Sequence, residues 1–181
     1  VTSARAVARA GIDALDWYRD ARAPLAALAA SAGRTERDTA YALAAYSPRV
    51  RVRRSVTLAR AALAGHEPEG SLPAARVAWR YYLDHGHLRG PKTEAFACAL
   101  LGDEAAVVVD VWTLRALSER DDRSPRGREY GRLVSRVRRV ARYLGTEPAR
   151  AQAALWAGAL RARSRTVPSM AQILKEALHV D

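Results

Sequence analysis

Leu88-Arg89-Gly90-Pro91-Lys92-Thr93-Glu94-Ala95-Phe96 runs through Leu100-Leu101-Gly102 to Val107-Val108-Val109-Asp110-Val111-Trp112-Thr113-Leu114-Arg115. A glycine turn enters a helix, with Lys92 in its first turn. A second glycine closes that helix, a short apolar run follows, and an acid opens the next helix as its N-cap. The run Val107-Val108-Val109 is the single β-rich stretch and is too short to build a sheet. Around it, apolar residues recur at spacings of three and four, as in Val52, Val56, Ala59 and Leu63. The pattern predicts helices near 3–20, 24–32, 36–46, 49–64, 72–84, 92–101, 111–119, 128–144, 148–163 and 169–178. Pro24, Pro73, Pro148 and Pro168 mark starts, and Gly65, Gly102 and Gly145 mark stops. The fold class is all-α. Ser118 to Gly131, with Pro125, Gly127 and mixed charges, reads as the best linker within a single globular unit over 1–181.

Composition narrows the function classes. Of 181 residues 49% are hydrophobic, which is enough for an ordinary core. One cysteine excludes a disulfide framework, a thiolate zinc site and a cysteine-held iron–sulfur cluster. No apolar run reaches the ~20 residues that span a bilayer. The first ten residues carry arginines without an apolar signal core, the pattern of an intracellular protein. A net charge of +11 points to a polyanionic partner, nucleic acid above others. Of the 30 cations 28 are Arg, and only Lys92 and Lys175 are Lys. Against that arginine background a lysine stands out, because its amine can shed a proton and attack carbon whereas a guanidinium cannot.

Two basic stretches follow from the same count. Ser47 to Gly65 holds Arg49, Arg51, Arg53, Arg54 and Arg60 without an acid, and Arg49 and Arg53 share a face by i,i+4 spacing. It follows a tight Tyr46-Ser47-Pro48 corner, so helix-end amides and guanidinium groups can meet phosphates together. Arg132, Arg136 and Arg139 form a stripe on the 128–144 helix, which reads more readily as a solvated face. His85 and His87 straddle Gly86 with no third ligand near, so no metal is expected there.

Lys92 and Asp110 are 18 residues apart, with a helix between them to return the chain. The positive end of a helix disfavours an ammonium at Lys92. Each residue alone is ordinary, one a surface lysine and the other a helix cap. Together, with their flanks, they suggest an amine and an acid converging on one cleft.

That arrangement resembles the helix-hairpin-helix DNA glycosylase superfamily, in a divergent, phage-type branch without an iron–sulfur cluster. Gly90-Pro91-Lys92-Thr93 resembles the hairpin exit, Val108-Val109-Asp110 the approach to the catalytic Asp, and Ala45-Tyr46-Ser47-Pro48 the early corner that leads a helix to the lesion. Gln152-Ala153-Ala154-Leu155-Trp156 fits a further helix of divergent members. Leu88 stands where the hairpin's first glycine belongs, and Trp112 where many members have His.

The resemblance covers roughly residues 35–160. It implies a two-lobed helical fold, with a central lobe over 35–118 and a second lobe from 1–34 plus 127–181. It also implies base excision from double-stranded DNA by base flipping. Asp110 would stabilise the cationic sugar, and Lys92 would attack C1′, giving lyase activity through a Schiff base. Gly90, Arg89, Ser47, Arg49 and Arg53 would hold DNA. Trp112, Tyr46, Tyr81 and Tyr82 would offer rings to the flipped base, although Trp112, Tyr81 and Tyr82 read more readily as core. No cofactor, no metal and no membrane are implied, and a cytoplasmic, nucleoid-associated monomer is expected. Three other readings stay open: a non-catalytic helical DNA-binding protein of the same fold, an N-glycosidase acting on a free nucleoside or nucleotide, and a structural helical protein whose basicity serves solubility or RNA contact.

Overall fold

The computed structural model describes residues 3–117, 125 and 127–179. Among them the chain is all-α. Its elements in order are α1 (Ala4–Ala10), a 3-10 turn (Ile12–Ala14), α2 (Trp17–Ser31), α3 (Glu36–Ala45), α4 (Val52–Leu63), α5 (Pro73–His85), α6 (Pro91–Leu100), α7 (Val111–Ala116), α8 (Gly127–Leu144), α9 (Pro148–Arg161) and α10 (Met170–Ala177). No strand forms among the described residues, and the Val107–Val109 run is buried without pairing. No helix of the described residues is long and apolar enough to cross a membrane.

Local chemistry explains most boundaries. Pro73, Pro91 and Pro148 each sit in a first turn, and Gly65, Gly102 and Gly145 take positive φ after their helices. Thr35 and Asp38 form a capping box at α3, a device worth about 1 kcal/mol. Several predicted boundaries move. The helix predicted from 49 begins at Val52, so Arg49, at φ 61°, lies outside it and does not share a helical face with Arg53. The helix predicted over 3–20 breaks at Gly11 into α1 and the 3-10 turn, and the chain resumes as α2. Pro24 lies inside α2 rather than opening a helix; it is buried there and forgoes the hydrogen bond to the Asp20 carbonyl. Pro168 precedes Ser169, which caps α10 with its side chain. The predicted linker ends early, because helix begins at Gly127; residues 118–124 and 126 lie outside those described.

The contacts divide the chain into two units, Val1–Tyr18 with Asp103–Val167, and Arg19–Gly102 with Pro168–Asp181. Residues of the expected 35–118 lobe fall in both. In the first unit α9 is the central helix, with ten of its residues buried and α1, α7, α8 and the 3-10 turn packed on it. Small residues make that density possible. A methyl on Gly158 would overlap the Val7 carbonyl oxygen, and one on Gly11 the Ala154 carbonyl oxygen. Leu114, Leu117, Leu133, Val137 and Leu155 fill the remaining space. Trp17 meets Trp156 edge-on at 5.2 Å, and Asp13 and Asp16 pair with Arg161 and Arg150.

In the second unit α3 is central. Every residue from Thr39 to Tyr46 is buried, and α4, α5 and α6 pack around the helix while α10 lies on α4. Tyr82 of α5 stacks on Tyr41 of α3 at 4.4 Å and on Trp79 at 5.3 Å.

The glycine contact gives a direct expectation. Gly158→Ala forces α1 away from α9 and destabilises the first unit by about 1–3 kcal/mol, the usual range for overpacking. Urea unfolding followed by circular dichroism measures the loss.

Candidate functional site

In the second unit, α5 ends at Gly86, whose left-handed φ of 74° turns the chain into α6. Gly90 is the N-cap of α6, Pro91 follows, and Lys92 lies in the first turn. The turn is anchored from α3 and α6. Arg37 donates to the Gly86 carbonyl at 2.7 Å. Glu94 accepts the Leu88 N–H at 2.7 Å with one oxygen and the Tyr41 hydroxyl at 2.6 Å with the other. Leu88 is buried, which gives this non-glycine residue its place in the turn: its side chain pins the turn to the core. Burial and the Glu94 carboxylate together push the Tyr41 phenol above its ordinary range.

The outer face of the turn is aromatic and basic. His85 stacks on Tyr81 at 4.0 Å, His87 meets that ring edge-on at 5.3 Å, and the Arg89 guanidinium lies 4.1 Å from its centroid. Lys92 is half-buried and makes no hydrogen bond or ion pair among the described residues.

The corner before α4 holds Tyr46, Ser47 and Arg49. Tyr46 is 2% exposed and lines a cavity of about 320 Å³ with Trp79, Arg34, Arg76 and Arg80. Ser47 donates its hydroxyl to the Ala44 carbonyl. Arg49 is exposed and adopts φ 61°, a left-handed conformation that costs an L-residue roughly 1 kcal/mol. The Ser47–Gly65 stretch is not without an acid in the folded chain, as its sequence suggests. Arg53 pairs at 2.5 Å with Glu176 of α10, and Arg54 donates to the Glu69 carbonyl. Tyr82 is buried and donates its hydroxyl to Asp38 at 2.7 Å. Burial alone would raise Asp38, but hydrogen bonds from Thr35 and Tyr82 outweigh it and hold the carboxyl below its ordinary value.

In the first unit, Asp110 caps α7 from the end of the buried valine run. Its Oδ1 accepts the Thr113 N–H at 2.8 Å and the Thr113 hydroxyl stands 3.0 Å away. Its Oδ2 has no hydrogen-bond partner among the described residues, and the residue is half-buried. Tyr130 staples the approach by donating to the Val107 carbonyl at 2.9 Å, with the Val109 N–H 3.4 Å from its oxygen.

Behind Thr113, the Gln152 amide nitrogen lies 3.3 Å from its hydroxyl, and Tyr18 donates to Gln152 Oε1 at 2.7 Å. Burial first, then the nearby Asp110 charge, pushes the Tyr18 phenol well above its ordinary range. Trp112 is half-buried under two guanidinium groups, Arg115 at 4.6 Å and Arg165 at 5.1 Å. The proposed partners Lys92 and Asp110 thus belong to different units. Among the described residues no three His, Cys, Asp or Glu side chains gather as metal ligands.

Residues 3–164 match the protein family DUF7178, described as a family of unknown function. The chain belongs to that family. No curated protein and no solved structure matches it. The span matched to DUF7178 takes in Lys92 and Asp110 and stops one residue short of Arg165. Tyr18, Thr113, Tyr130 and Glu94 had no signal of their own in the sequence, because their partners lie far along the chain or on the backbone.

Two expectations attach to this DUF7178 chain. Glu94→Gln weakens the acceptor of both the Leu88 N–H and the Tyr41 hydroxyl, and costs about 1–3 kcal/mol in urea unfolding. A carboxyl held below its ordinary value contributes stability that is present above that value and lost as pH falls through the folded one. Asp38→Asn therefore lowers stability at pH 7, and the gap to wild type closes in thermal melts run down through the carboxylate range.

Proposed function

We propose that the protein is a DNA glycosylase of the helix-hairpin-helix type, acting on one altered base in duplex DNA as a nucleoid-associated, cytoplasmic monomer. The observation that carries this reading is the state of Asp110. One carboxylate oxygen is held by two donors from one residue while the other has no partner among the described residues. An N-cap aspartate fixed through one oxygen keeps its second oxygen available in a set direction. A group that stabilises a developing sugar cation needs such an oxygen. A partnerless amine in a first helical turn adds support, since an amine freed of its proton is a nucleophile.

In this reading α5, the turn at 86–90 and α6 form the hairpin, whose N-terminal amides and Arg89 meet the backbone phosphates. Arg49 enters the gap left by the extruded nucleotide. Lys92 Nζ attacks C1′, the glycosidic bond breaks, and the base departs with the bonding electron pair and takes up a proton. The amine loses its protons as the sugar ring opens to the Schiff base. Asp110 faces the positive charge that builds on the sugar.

The test is a panel of duplexes, each with one altered base, assayed for abasic sites. Wild type is expected to open one duplex, with affinity falling steeply with salt. Asp110→Asn is expected to lose base release about a hundredfold or more while duplex affinity holds. Lys92→Ala is expected to lose the adduct that borohydride traps. Tight duplex binding without abasic sites on any duplex would favour a DNA-binding protein instead, and activity on free nucleosides that is indifferent to salt would favour an N-glycosidase.

A further inference from the structure

Asp110 needs only the Thr113 N–H to cap α7, yet a polar chain continues behind it through the core. Thr113 is fully buried, Gln152 is 2% exposed and Tyr18 8%, among alanines and leucines. Such groups are costly to bury unless they are satisfied by one another. We propose that Gln152 is a positioning residue for Asp110, acting through the Thr113 hydroxyl and held in orientation by Tyr18.

The argument turns on a single proton. The Thr113 hydroxyl has one hydrogen and two acceptors in reach, the Val108 carbonyl at 3.1 Å and Asp110 Oδ1 at 3.0 Å. The Gln152 amide donates to Thr113 Oγ1 from α9, so the hydroxyl hydrogen points away from α9 toward those acceptors. Of the two, the carboxylate makes the stronger, charge-assisted bond. A flipped amide would present its carbonyl to Thr113 and draw the hydrogen back. A phenol hydroxyl is a better donor than acceptor, so Tyr18 favours the orientation in which it donates to Oε1 and leaves the NH₂ for Thr113. The carboxylate is thereby held through Oδ1, and Oδ2 keeps one direction.

As a statement about catalysis the inference rests on the glycosylase reading, but as a statement about what fixes the carboxylate it stands apart from it. The experiment compares Gln152→Leu, Thr113→Val, the double variant and Tyr18→Phe with wild type. Three quantities are read: kcat for base release, Kd for the duplex, and the Hα–Hβ scalar couplings of Asp110 by NMR. Each single variant is expected to lose about tenfold in kcat, the effect of one hydrogen bond, with Kd within about twofold. The double variant is expected to lose no more than Thr113→Val alone, because Gln152 acts through that hydroxyl. The Asp110 couplings are expected to move from one rotamer to an average.

Additive losses, or unchanged Asp110 couplings in a folded Gln152→Leu protein, would overturn the proposal. If Gln152→Leu does not fold, Tyr18→Phe removes only an oxygen and carries the same readouts. If wild type releases no base from any duplex, the glycosylase reading falls and the couplings alone decide.

Discussion

The first unit depends on how closely α1 and α9 approach. Gly11 and Gly158 let backbone meet backbone where any side chain would intervene. With that spacing α9 is enclosed by its neighbours, and most of its residues are buried. Enclosure gives Gln152 its meaning. On a solvated face it would be one polar residue among many; inside the core its amide must find partners, and it finds Tyr18 on one side and Thr113 on the other.

The two chemical candidates are built on the same principle with opposite charges. Asp110 accepts from the Thr113 N–H in the first turn of α7, where a carboxylate is stabilised by the helix's own partial charge. Lys92 stands at the corresponding end of α6, where a cation gains nothing from the helix. Glu94, two residues on, does not pair with Lys92; it is committed to Tyr41 and the Leu88 backbone. The acid nearest in sequence to the amine is therefore spent on holding the turn.

Much of the fold was legible because helices announce their ends locally. Proline at 73 and 148, glycine at 65, 102 and 145, and Asp110 as a cap all read correctly, since each acts within one helical turn. What failed depended on distant contacts. The break at Gly11 follows from the approach of α9, and the acid that meets Arg53 is Glu176, more than a hundred residues away. Pro24 reads as a start by local rules, yet it is tolerated inside a helix whose packing outweighs one missing hydrogen bond. Of the aromatic candidates, periodicity gave no means to separate Tyr82, buried in a ring stack, from Tyr81, which faces outward under a guanidinium.

The four tryptophans are apportioned unequally. Trp17, Trp112 and Trp156 belong to one unit, and Trp79 alone to the other, at the end of the ring stack through Tyr82 and Tyr41. Under excitation selective for tryptophan, a chain bearing only Trp79 would glow from the middle of α5 and the cavity it lines. Its emission colour would then report when that helix loosens or that cavity fills, with the remainder of the molecule dark.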